Sequence, residues 1–291
     1  MAKITHAIAK SDDKTVQITF TIPYSIVKES QNKVVEDYAK TAEIAGFRKG
    51  KAPIEKVKEK IEPNILVEKS LGLILPKTLG EVITEHKLKP AIYPKFEVIK
   101  ADVNEDWQVR ATTCELPEVD LGDYKNIISQ SSKTKAIWTP EKGSPEDKPK
   151  EQTREEKEQE VIKTLLNTIK INIPTILIEE EVNSRLSSLL ERIEKLGLTL
   201  EGYLSSLNKK PEELRNEYVS QAKSTIGIDL ILSKISAEEK IQINEDQIDD
   251  ALKAVSADPK LFEKLNTPEQ RLLIKGVLMR RGALDYLVSL L

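Results

Sequence analysis

The apolar pattern of this chain changes period along its length, and that change constrains the fold more than any other feature. Two-residue alternation, the mark of half-buried strands, is confined to the first part of the chain. Val16, Ile18, Phe20 and Ile22 alternate strictly with other residues. Ile4, His6 and Ile8 do so more loosely, and Asp12-Asp13 between the two segments reads as a hairpin turn. Further on, Phe96 and Val98 alternate, and Trp107, Val109 and Ala111 turn an apolar face inward while Gln108, Arg110 and Thr112 face out. Helical spacing separates these strands. Pro23 stops the second strand, and from about 24 to 45 Val27, Val34, Val35, Tyr38 and Ala42 lie near one helix face. A second helical stretch from Pro63 to His86 carries Ile65, Leu66, Leu71, Leu75, Leu79, Val82 and Ile83, with Pro76 expected to kink or split it.

After about residue 151 only helical stripes remain. Val161, Leu165, Leu166 and Ile169 make one; Ile178, Val182, Leu186, Leu189, Leu190 and Ile193 make another; Leu214, Tyr218 and Ala222 follow Pro211. Asn244 with Gln247, and Thr267 with Gln270, read as capping boxes. The last helix carries Leu273, Val277, Leu284, Leu287, Val288 and Leu291. Between the two regimes, residues 129–150 are polar, proline-bearing and aperiodic, with Ala136-Ile137-Trp138 as one apolar island. The expected organisation is an α+β domain over 1–128, a flexible linker over 129–150 and an all-α domain over 151–291. As a coil the linker would span roughly 25 Å.

Aromatic residues make up 4% of the 291 and charged residues 32%, which disfavours one large core with an aromatic-lined pocket and suits an elongated, helix-rich chain with several small cores. The net charge of −3 argues against general nucleic-acid binding. Locally, residues 46–60 set Arg48, Lys49, Lys51, Lys56, Lys58 and Lys60 against Glu55 and Glu59, a patch of +4. The single cysteine, Cys114, has no intrachain partner. The start of the chain has no apolar signal region, and no run reaches the length of a membrane span, so a cytoplasmic protein is expected.

Enzyme motifs fail one by one. Gly46 to Gly50-Lys51 resembles a phosphate-binding loop, but three residues separate the glycines instead of four, and Ala52 stands where Ser or Thr must hold magnesium. His6 and His86 have no ligand at metal-site spacing, so no metal is expected. Cys114 lies in a strand pattern, where a packed thiol is the expected role. There is no serine-nucleophile motif, and no cofactor is expected.

The segment Gly46-Phe47-Arg48-Lys49-Gly50-Lys51-Ala52-Pro53 joins two helices. Gly46 suits a helix end and Pro53 the first turn of the next, so helix punctuation accounts for both. It does not account for Phe47, an aromatic set beside three cations. An apolar anchor next to a rigid guanidinium is the chemistry of a binding hot spot.

This octapeptide resembles the G-F-R-x-G-x-x-P signature of trigger factor, the bacterial ribosome-associated chaperone. The resemblance extends over 1–128 and resumes over 151–291, where Gly197-Leu-Thr-Leu-Glu-Gly-Tyr-Leu, Pro211-Glu-Glu-Leu-Arg and Asn244-Glu-Asp-Gln-Ile look like the family's helical C-terminal domain. It implies that Phe47, Arg48 and Lys49 touch a ribosomal protein and adjacent rRNA beside the exit tunnel. Gly46 and Gly50 would allow the tight turn, with Lys51 and Pro53 completing the loop. It further implies an arm-bearing helical domain that holds nascent polypeptides without ATP, and a weak homodimer off the ribosome. Typical members insert a peptidyl-prolyl isomerase domain between the two parts. Here residues 129–150 stand in its place, and no isomerase activity is expected. The competing expectation is a ribosome-independent helical scaffold or assembly chaperone for folded partners.

Overall fold

The computed structural model describes residues 2–41, 47, 50, 53–135, 153–255, 262 and 266–291. The chain divides into two compact units, one of Met1–Leu116 with Pro174–Leu177 and one of Pro117–Ile173 with Ile178–Leu291. Among the described residues, no helix is long and apolar enough to cross a membrane.

The first unit contains strands β1 (Thr5–Lys10) and β2 (Thr15–Ile22), helices α1 (Tyr24–Thr41), α2 (Ile54–Lys58) and α3 (Pro63–Glu85), then β3 (Lys95–Lys100) and β4 (Trp107–Cys114). The strands form one antiparallel sheet in the order β1-β2-β4-β3. The hairpin at Asp12-Asp13 is closed by Ser11 N–H donating to the Thr15 carbonyl at 2.9 Å, with Lys14 in the left-handed region at φ 65°. Register puts Ile18 opposite Ala111, Phe20 opposite Val109 and Ile22 opposite Trp107, so the alternating apolar residues of both central strands share one face. Leu71, Ile74, Leu75, Leu79 and Val82 of α3 and Val27 of α1 cover that face and complete the core.

Pro76 does not split α3. It and Gly72, whose carbonyl loses its partner to the proline, are both exposed, so the freed oxygen is open to solvent. Phe96 and Val98 point to the core face, opposite Ala111 and Val109, yet every residue of β3 is exposed. It is an edge strand, none of its residues belongs to the sheet core among the described residues, and its register slips between Val98 and Lys100. Tyr38, read onto the same face of α1 as Val34 and Val35, is exposed.

The second unit is helical: α4 (Tyr124–Lys135), α5 (Arg154–Thr168), α6 (Thr175–Lys195, its first residues grouped with the first unit), α7 (Leu200–Ser206), α8 (Pro211–Glu238), α9 (Glu245–Val255) and α10 (Pro268–Val288). Its main core joins Leu121, Tyr124 and Ile128 to Val161 and Leu165 of α5, Ile231 and Ile235 of α8, and Leu284 and Leu287 of α10. By packing, the division between units falls after Leu116, while the expected first domain runs to 128. Residues 129–135, expected in the linker, are the later turns of α4, a helix anchored by Tyr124 and Ile128. The rest of the expected linker, 136–150, lies outside the described residues. Each expected capping box shows one of its two bonds: Gln270 N–H donates to Thr267 Oγ1 at 3.3 Å, and Asn244 N–H donates to Gln247 Oε1 at 3.0 Å. A full capping box also starts α5, with Thr153 and Glu156 each accepting from the other's backbone N–H.

Candidate functional site

The connection between α1 and α2 is built on its own small core. Val57 of α2 is fully buried, and with Ile61 it packs against Val34 and Val35 of α1 and Leu66 of α3. This cluster is separate from the sheet core. It pins α2, and with it the C-terminal end of the loop. Pro53 sits one residue earlier than expected: it is the N-cap of α2, not its first residue, with φ −58° and ψ 141°. Its carbonyl accepts from Val57 N–H at 3.2 Å, which starts the helix.

The middle of the loop is set by Gly50. Its φ of +73° lies in the left-handed region, and a Cβ there would stand 2.9 Å from the Lys40 carbonyl oxygen. The backbone at Gly50 is therefore seated against the last turn of α1, at a distance only glycine permits. From this seat two apolar side chains are displayed: Phe47 is 45% exposed and Ile54 is 51% exposed. Lys56, Lys58 and Lys60 are exposed beside them, with Lys56 paired to Glu59 at 3.0 Å. Such a surface pair is weak and leaves the local positive field intact. Gly46, Arg48, Lys49 and Lys51 lie outside the described residues.

The remaining chemistry-bearing groups of the first unit divide cleanly. Cys114 is fully buried at the end of β4, and burial pushes its thiol pKa up, so it is a packed thiol as expected. His6 and His86 do what their spacing gave no sign of. The register that sets His6 opposite Phe20 turns it toward the helix-covered face, and His86 is the C-cap of α3. Their Nε2 atoms lie 3.0 Å apart, with the rings nearly perpendicular at 88°. The Glu85 carboxylate lies within 4.8 Å of both. Eighty residues separate the two histidines, so only tertiary structure could bring them together.

In the second unit the notable surface is apolar. Leu273 and Val277, expected inside the last helix stripe, are 64% and 56% exposed, and Leu272 beside them is 72% exposed. Only the last turns of α10, from Ala283 on, join the main core with α5 and α8. Leu196 and Leu198, at the turn between α6 and α7, are exposed as well. A cleft of about 230 Å³ beside Arg185, Arg192 and Tyr218 is polar, and Arg185 is already held by Glu181, Gln221 and Thr225.

Comparison with known proteins accounts for nearly the whole chain. The family model described as bacterial trigger factor protein (TF) matches residues 5–139, and that described as the C-terminus of the same protein matches 142–289. Only two residues fall between the matches, which leaves no room there for an isomerase domain. The first match runs past Leu116, so the family boundary and the packing boundary differ. The trigger factor of Streptococcus pyogenes serotype M5 (strain Manfredo) is 32% identical over 120 residues, 41% of this chain and 28% of the relative. That of serotype M4 (strain MGAS10750) is 32% identical over 120 residues, 41% of this chain and 26% of the relative. The matched region thus spans under a third of these relatives' length. A solved structure described as "Promiscuous Substrate Recognition in Folding and Assembly Activities of the Trigger Factor Chaperone" superposes with a TM-score of 0.64 at 16% identity, covering 98% of this chain and 99% of that one. This last likeness is one of fold.

Proposed function

The chain belongs to the bacterial trigger factor family, and on that premise we propose that it is a cytoplasmic chaperone that docks at the ribosomal exit tunnel and holds nascent polypeptides without ATP. The observation that carries this reading is the loop between α1 and α2. A close backbone seat at Gly50 and a dedicated core around Val57 display Phe47 and Ile54 next to a run of cations. Ordinary helix punctuation requires none of these.

Docking on this reading has two parts. The positive field of residues 46–60 steers the chain toward an anionic surface of ribosomal protein and rRNA. Phe47 then anchors in an apolar site while Arg48 makes paired hydrogen bonds to a carboxylate or phosphate and Lys49 adds charge. Holding clients needs no deep pocket. The exposed Leu272, Leu273, Val277, Leu196 and Leu198 offer scattered apolar contacts that suit many sequences weakly. With no isomerase domain between the family matches, prolyl isomerisation is not part of the activity.

The test is co-sedimentation with ribosomes across a salt titration, comparing the parent with a Phe47→Ala/Arg48→Glu double variant. The parent should bind, more weakly as salt rises. The double variant should not bind, while its unfolding midpoint stays unchanged because Phe47 packs into neither core of the first unit. Undiminished binding by the variant would overturn the docking assignment.

A further inference from the structure

We infer that His6, His86 and Glu85 form a binding site for a first-row divalent transition-metal cation, zinc-like in its preferences, on the first unit. The three donors come from two elements that the sheet core holds in place. β1 is fixed to β2 by the register that pairs His6 with Phe20, and the end of α3 is fixed by Leu79 and Val82 in the core below. The donors converge without any sequence spacing to bring them together. Two imidazole Nε2 atoms face each other at 3.0 Å, and a carboxylate oxygen lies within 4.8 Å of both.

The donor set selects the cation. Two imidazoles and one carboxylate match a three-ligand zinc site with water in the fourth position, and imidazole nitrogen disfavours calcium and magnesium. The geometry is close to what binding needs. Metal–nitrogen bonds of about 2.0–2.1 Å at tetrahedral angles set two ligating nitrogens roughly 3.4 Å apart. The rings therefore separate by a few tenths of an ångström, and the Glu85 side chain swings inward. His86 and Glu85 are exposed, which leaves an entry path, while His6 is half-buried and supplies the fixed wall.

The competing account is a plain hydrogen bond between two neutral imidazoles. That arrangement requires one ring to donate from Nε2 and the other to accept there, in opposite tautomers. It uses one lone pair, leaves Glu85 without a role, and confers no affinity for metal. The two accounts therefore separate experimentally.

The protein contains only these two histidines, and its one cysteine is buried, so any imidazole-dependent metal binding reports on this site. The experiment is titration of the full chain with Zn²⁺ in competition with a chromophoric chelator, repeated with Co²⁺ to read coordination from its visible absorption. The parent should bind one equivalent, with a Co²⁺ spectrum of tetrahedral intensity. His86→Ala should weaken binding by about a hundredfold or more, and Glu85→Gln by about tenfold. Both positions are exposed, so neither variant should cost the fold. As a second readout, Zn²⁺ should raise the melting temperature of the parent and leave that of His86→Ala unchanged. Absence of binding by the parent, or equal affinity in His86→Ala, would overturn the site.

Discussion

Replacing Gly50 by alanine tests whether the loop between α1 and α2 is built or merely tolerated. Two costs follow from the geometry. An L-residue at φ +73° bears a left-handed penalty of about 1–2 kcal/mol. Its Cβ would also meet the Lys40 carbonyl oxygen at 2.9 Å, and a backbone oxygen at the end of a helix cannot rotate aside. Against these stands a gain of roughly 0.4–1 kcal/mol from a less flexible unfolded chain. The net expectation is a loss of about 1–2 kcal/mol, the larger figure if the loop holds its seat. Gly80→Ala is the matched control. Gly80 lies on the exposed face of α3 and a Cβ there meets nothing within 4 Å, so the same chemical change should stabilise by about 0.5–1 kcal/mol. Gly50→Asn separates the two costs, since asparagine tolerates the left-handed region but still carries a Cβ. Urea unfolding provides the assay. The chain has two tryptophans, and a Trp138→Phe background leaves the core residue Trp107 as reporter of the first unit. If Gly50→Ala matches or exceeds the parent while Gly80→Ala behaves as expected, the reasoning about the seated loop is wrong.

Two further predictions concern the second unit. Glu239 accepts from Tyr124 Oη and Lys125 Nζ, each at 2.7 Å, and Lys125 first, then Tyr124, hold its carboxyl pKa below the ordinary value. A depressed folded pKa gives stability that is present above the unfolded value of about 4.3 and lost as pH falls through the folded one. Glu239→Gln should therefore be less stable than the parent at neutral pH, with the gap closing below about pH 4; parallel urea midpoints from pH 3 to 7 would contradict this. Leu272→Ser/Leu273→Ser/Val277→Ser should leave thermal stability within about 0.5 kcal/mol, because all three are exposed. It should also weaken suppression of aggregation of a chemically unfolded client; full suppression by this variant would remove α10 from the holding surface.

Much of the first unit was legible because its residues are governed by local rules. Strict alternation located β2 and β4 and gave their buried faces correctly, since period-two burial needs no knowledge of the partner strand. Gly and Pro punctuation found the connection between α1 and α2. The errors fall where burial depends on what lies above. Phe96, Val98, Leu273 and Val277 carry a core-like period, but all four are exposed among the described residues. The packing division after Leu116 was not legible for the reverse reason: Leu121, Tyr124 and Ile128 form too short a stripe to announce that they pack on α5 and α8. For the loop, sequence identified Phe47 as the residue that structure does not require, but it could not foresee that Gly50 is pressed against the Lys40 carbonyl. His6 and His86 were unreadable as a pair, because their meeting rests on sheet register at one end and on the length of α3 at the other.

The length of α3 has a consequence of its own. Leu66, near its start, belongs to the small cluster that carries the loop, while Leu71 to Val82 belong to the sheet core, and His86 caps its end. One residue inserted between Leu66 and Leu71 would turn these faces about 100° relative to one another, and no side-chain substitution could restore both. Insertions and deletions should therefore be barred from this helix even where its exposed positions vary freely. Change in length within the first unit is channelled into its connections.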